Sequence, residues 1–181
     1  MKLVRVSVLF LLVVLMAGSV WSFDGMRKGF VLGGGLGVSP IARVSLGDLD
    51  ESKVGVGAHI VIGYAWDEFN MLVYESNVTA YEIYSTSIGQ GFGGASWYHY
   101  FGPQGKSFFT VAGLGFCYYK EEDIDANDAK GAYLIGAGYE FTRHVQVSMY
   151  FSGGKTSVDF FGSDIEFGHN HMSLVISAIA F

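Results

Sequence analysis

Beyond its first eighteen residues the chain has no long hydrophobic run. The longest stretch, 174–181, is broken by Ser177 and falls well short of the ~20 residues that a membrane-crossing helix needs. Helical spanning is excluded. Cysteine is nearly absent, and Cys117 alone cannot form an intramolecular disulfide, so filling space in a strand is the role it suits. Cations are in the minority. The 11 Lys and Arg against 17 Asp and Glu leave a formal charge of −6, which offers nucleic acid no basic surface. Proline is scarce, at 2 residues, whereas Gly (26), Phe (15) and Tyr (11) are abundant, a balance that directs attention to extended backbone.

The first residues read as a secretory signal: cations at Lys2 and Arg5, an apolar run over 6–18, and tolerated small residues at Val20 and Ser22. Cleavage is expected after Ser22, with residues 1–22 removed and 23–181 forming one domain. No cysteine lies near that point, which argues against a lipid-modified N-terminus.

The remainder shows period-two patterning in segments of strand length. In the first, 29–44, Phe30, Leu32, Leu36 and Val38 share one parity and Gly33, Gly35 and Gly37 the other. The second, 53–64, sets Val54, Val56, Ala58, Ile60, Ile62 and Tyr64 against Gly55, Gly57, His59, Val61 and Gly63. The sixth, 131–141, repeats the split between bulky and small residues. Segments 69–80, 87–101, 107–120, 145–157 and 168–181 complete eight strands. Their connections alternate in length. Short turns are expected at 66–68, 102–106 and 142–144, and longer acidic loops at 47–52, 81–86, 121–130 and 156–167. Short turns at one end and long loops at the other are the habit of outer-membrane barrels.

A soluble lipocalin-like barrel would share the periodicity but carry Lys, Glu and Asp on its outward parity. Here charge is concentrated in the loops and both strand faces are nearly devoid of it. Aromatic residues crowd the strand ends, with Tyr64, Trp66, Trp97, Tyr100, Tyr139 and Phe141 assigned to a girdle beside the short turns. In hydrocarbon every backbone donor and acceptor must be paired, so strands can cross only as a closed barrel. The fold class is therefore all-β: an eight-stranded antiparallel up-and-down transmembrane β-barrel, its lumen filled by side chains. Arg43, His59, Glu75, Glu140, Gln146 and Tyr150 fall on the parity read as inward and are expected to form a polar network that plugs it.

On GFVLGGGLGV (29–38), TVAGLGFCYY (110–119), GAYLIGAGYEF (131–141) and the terminal Phe181, the whole of 23–181 resembles the small outer-membrane β-barrels related to the OmpA transmembrane domain, OmpX and the opacity proteins. The resemblance implies the outer membrane of a Gram-negative-type bacterium, reached by signal-dependent export. It implies outer-membrane lipids and lipopolysaccharide as surroundings, and a monomer without cofactor or metal. Phe181 is similar to the terminal aromatic read by the outer-membrane assembly machinery, although Ile179 stands where an aromatic is commoner.

One motif hints at chemistry. His169, His171 and Ser173 form H-x-H-x-S behind Asp164 and Glu166, and a His beside a Ser, oriented by a carboxylate, is the layout of an activated nucleophile. His171 and Ser173 also resemble the H-x-S pair of outer-membrane enzymes that deacylate lipid A, but no acid follows in the chain and the usual Asn after the Ser is missing. The two histidines lack a third ligand for zinc, and the acidic stretch 121–128 lacks the Gly and closing Glu of an EF-hand loop. The expected function is non-enzymatic: a plugged barrel contributing to envelope integrity or surface interactions, with the deacylase and a narrow pore as its rivals.

Overall fold

The computed structural model of the chain describes residues 26–46, 49–83, 86–121, 124–125, 128–160 and 163–181. In chain order the strands are β1 (Gly29–Leu46), β2 (Leu49–Ala65), β3 (Asn70–Ile83), β4 (Thr86–Tyr100), β5 (Ser107–Glu121), β6 (Ile124–Asp125), β7 (Asp128–Thr142), β8 (Val145–Phe160) and β9 (Ser163–Ala180). β6 is a two-residue return on the end of β5, pairing Glu121 with Ile124. The other eight run β4-β3-β2-β1-β9-β8-β7-β5, and pairing of β4 with β5 closes the ring. All neighbours are antiparallel, and the architecture is the eight-stranded up-and-down barrel expected from the alternation.

The turns at 66–69, 101–106 and 143–144 match the short connections read from sequence. At the opposite end the hairpins reach further than expected. β1 continues to Leu46 and β2 resumes at Leu49, while β8 and β9 stay paired as far as Phe160 and Ser163. In the segments 47–52, 81–86, 121–130 and 156–167, expected as loops, the described residues are therefore strand. Backbone laddering does not require alternating side chains; where both faces are polar the period-two signal fades although the pairing continues, as at Asp159 opposite Asp164.

The barrel is apolar outside and polar within. Leu36 and Leu114 on the outer face are 75% and 76% exposed, a burden of open hydrocarbon that water does not tolerate across a whole circumference. Inside lie His59, Glu75, Asn77, Gln90, Glu140, Gln146 and His171, all buried, interleaved with Phe92, Tyr98, Phe109, Leu134 and Tyr150. Glycines on the inner wall leave recesses for these rings. A side chain added at Gly136 would meet the Tyr150 ring at 2.8 Å. On the outer face the reverse occurs at Gly93, which Phe116 and the Tyr74 hydroxyl cover from the two flanking strands.

One facing assignment made from sequence is corrected. Tyr100, placed in the exterior girdle, is fully buried in the lumen, because strict alternation sends Trp97, His99 and Phe101 outward and Tyr98 and Tyr100 inward. Aromatic density near the turn concealed that parity. In β1 the register slips between Ser39 and Ala42, where Pro40 has no N–H for the ladder. Ser39 Oγ donates instead to Met172 O (2.5 Å), and beyond the slip Ala42 is the buried residue. The alternation read through β1 is thus interrupted at Pro40, and the expected inward facing of Arg43 lies outside the described residues.

Candidate functional site

The lumen carries nearly all the chemistry of the described chain, and it is organised in tiers. The tier at the short-turn end is built on a residue the periodicity did not flag. Arg27 precedes β1, and Gly29, at φ +103°, turns the chain from it into the strand. The guanidinium reaches back beneath the barrel. Nη2 donates to Glu140 Oε2 at 2.5 Å, Nη1 to Glu68 O at 2.5 Å and Gly102 O at 3.4 Å, and the backbone N–H to Gln104 Oε1 at 3.1 Å. Its flat face lies over the Tyr100 ring, with Cζ 3.6 Å from the centroid. Gly105, at φ +93°, directs its own N–H to the same Glu140 oxygen at 2.5 Å. One buried cation therefore ties the β2–β3 and β4–β5 turns to the end of β7 that leads into the third.

The middle tier is a set of paired side chains. Tyr100 donates to Gln146 Oε1 (3.1 Å), the Tyr98 and Tyr150 hydroxyls share a bond of 3.0 Å, and His59 Nε2 donates to Glu75 Oε1 (2.9 Å) with its ring 5.1 Å from that of Tyr150. The far tier joins Tyr81 to Gln90 (2.9 Å), Asn77 Nδ2 to Ser173 Oγ (2.9 Å), and Thr79 to His171 Nε2. Of the residues expected in a lumenal network, His59, Glu75, Glu140, Gln146 and Tyr150 line the interior, each in contact with a partner from another strand or from the chain ahead of β1. The sequence reading missed Arg27, Tyr98, Asn77, Thr79 and Gln90. For the last four, inward parity on β3 and β4 was the available signal; Arg27 precedes the alternating segment and had none.

His171 and Ser173 both point inward and are buried, but they are not hydrogen-bonded to one another among the described residues. His171 is engaged by Thr79 and, at 3.4 Å, by Ser152; Ser173 accepts from Asn77. A general base must sit within hydrogen-bond reach of its nucleophile, and here the two groups are engaged by different partners. Glu166 stands in β9 opposite Ser157, and His169 opposite Gly154; their side chains lie outside the described residues.

On the outer face Tyr64, Trp66, Trp97 and Phe141 are each about half exposed near the short turns, with Tyr139 less so. Phe181 is turned inward and buried at the end of the last strand. Beneath Trp97 the β2–β3 turn is fastened by Asp67, whose Oδ1 accepts from the backbone of Phe69 and Asn70 at 2.7 Å each, while Asn70 Oδ1 accepts from Trp97 Nε1 at 3.2 Å. Desolvation at the turn pushes the Asp67 carboxyl up, but the bonds from the Asn70 side chain and from the Phe69 and Asn70 backbone outweigh it and hold the group below its ordinary 3.8. A carboxyl lowered on folding contributes stability above its unfolded value and loses it as pH falls through the folded one. Asp67→Asn should therefore lower the urea midpoint at pH 7, and the gap from the parent should narrow on acidification below about 3.8. Paired urea titrations at neutral and acid pH measure it, and a gap independent of pH would refute it.

No protein-family model and no curated protein matches the chain. Solved structures do. Neisserial surface protein A superposes with a TM-score of 0.56 at 16% identity, over 83% of this chain and 97% of its own. Ail, the attachment invasion locus protein of Yersinia pestis, gives 0.52 at 11% identity over 83% and 99%, and 0.53 at 13% in its complex with the heparin analogue sucrose octasulfate. The likeness is one of fold, that of the small eight-stranded outer-membrane barrels.

Proposed function

We propose that the protein is a non-enzymatic integral outer-membrane barrel with a side-chain-filled lumen, contributing to envelope integrity or surface interactions. The observation that carries this reading is the inverted distribution of polarity: exposed Leu, Ile, Val and aromatic residues around the wall, and ion pairs and amides in the lumen. A closed barrel suits such a chain to hydrocarbon because no strand edge is left unpaired. The fold shared with Neisserial surface protein A and Ail supports the outer membrane as its location. Export under the segment 1–22, insertion by the outer-membrane assembly machinery with Phe181 as its signal, and a monomer among outer-membrane lipids and lipopolysaccharide complete the proposal. The short turns then face the periplasm and the long hairpins the exterior.

Plugging follows from the tiers of the lumen, which run from Arg27 at one end to Tyr81 and Gln90 toward the other. Purified and refolded into lipid, the protein should migrate differently on gels with and without boiling, and should give no unitary conductance in planar bilayers. A water-soluble monomer that needs no detergent would overturn the membrane reading. Discrete channel openings would overturn the plug.

A further inference from the structure

The short-turn rim is not uniform around its circumference. At the β2–β3 turn the chain carries Asp67 and Glu68, but at the adjoining β4–β5 and β7–β8 turns it carries Lys106 and Arg143, both exposed. Ser107 and Glu140 face each other across β5 and β7 and both point inward, so the neighbouring positions on these strands present outward. Phe108, Tyr139 and Phe141 occupy them as an unbroken aromatic ridge, with ring centroids 4.8 Å apart between Phe108 and Tyr139 and 5.0 Å between Tyr139 and Phe141, each pair edge to face. Phe108 is 69% exposed. Lys106 stands two residues before Phe108, in the β4–β5 turn, and Arg143 two after Phe141, in the β7–β8 turn.

The two cations are held on a stiff base. Gln104 Nε2 donates to Arg143 O at 3.4 Å, Gly105 N–H donates to Glu140, and Thr142 Oγ1 accepts from the backbone of His144 (3.3 Å) and Val145 (3.1 Å). The two turns touch: a side chain added at Gly105 would come within 3.7 Å of Arg143 Cγ. Among the described residues neither Lys106 nor Arg143 is in an ion pair. We infer that Lys106 and Arg143, set just beyond the ridge of Phe108, Tyr139 and Phe141, form a site for an anionic phospholipid, its phosphodiester headgroup on the cations and an acyl chain along the rings. Charge complementarity selects the occupant, because a zwitterionic lipid brings a positive choline or ethanolamine group to the same two cations. The inference rests on the membrane-barrel reading.

Native mass spectrometry of the full refolded protein, in detergent micelles containing equal amounts of phosphatidylglycerol and phosphatidylcholine, tests it. Each cation near a lipid surface favours an anionic headgroup by about fivefold, so phosphatidylglycerol adducts should exceed phosphatidylcholine adducts by at least that factor. In Lys106→Gln/Arg143→Gln the ratio should fall to near one, whereas Lys28→Gln, which removes an exposed cation beside β1, a strand that pairs with neither β5 nor β7, should leave it high. Equal adducts on the parent protein would overturn the site, as would a loss in Lys28→Gln as large as in the double variant. Heat-dependent gel mobility of the same samples reports the barrel separately, so a failed site is distinguishable from a failed membrane reading.

Discussion

Replacing Arg27 with methionine should destabilise the barrel by about 3–5 kcal/mol, the usual consequence of removing one partner from a buried ion pair. The change strands Glu140 at 2% exposure and removes the cation from the Glu68 and Gly102 carbonyls. It also uncovers the face of Tyr100. The double variant Arg27→Met/Glu140→Leu should recover much of the loss, since an apolar pair of similar volume avoids the desolvation of two charges. Urea unfolding in lipid vesicles, followed by tryptophan fluorescence, gives both numbers. A single-variant loss below about 1 kcal/mol, or a double variant no better than the single, would show that the clasp does not hold the turns together.

Steric relief on the inner wall leads to the second large effect. A Cβ at Gly138 would lie 2.8 Å from Phe109 Cε1 and closer still to Cζ, and the Phe109 ring is confined by Tyr98 and Tyr100 at 5.7 and 5.0 Å between centroids. Gly138→Val should therefore destabilise by about 1–3 kcal/mol or prevent folding altogether. Adding Phe109→Ala should recover only the part of the loss that the ring causes, because the added atom also meets the backbone carbonyl oxygen of Val147. Gly131→Val makes the control: nothing lies within 4 Å of the added atom, and the expected change is within about 0.5 kcal/mol. Equal effects at the two glycines would mean that the recess against Phe109 is not what Gly138 provides.

Strand number, closure and the position of each short turn were legible because a barrel in hydrocarbon must sort its residues by face at every step, and β2 does so without exception from Val54 to Ala65. Legibility failed where another rule overrode alternation. At Pro40 the missing N–H interrupted the alternation of β1, and beyond the apolar belt the hairpins kept pairing after the binary pattern had ended. Tyr100 was misread because proximity to a turn was weighed above parity. His59 and Glu75 were both seen to face inward, but Gln146 and Tyr150 were visible only as lone members, because their partners Tyr100 and Tyr98 were read by nearness to a turn instead of by parity. Arg27 lay outside any periodic segment, and its role arises from two turns and the end of β7 meeting in space.

The seam where β1 meets β9 joins the first strand to the last, with Leu32 opposite Ala180 and Gly35 opposite Ser177. Almost the entire described chain is enclosed by that contact, so it demands the largest loop closure in the molecule and comes with the slow kinetics of high contact order. Until it forms, β1 and β9 are bare edges able to template pairing with other chains. The hazardous period in the life of this protein is thus the interval before its final strand arrives, and whatever escorts it to the membrane must guard those two edges above all.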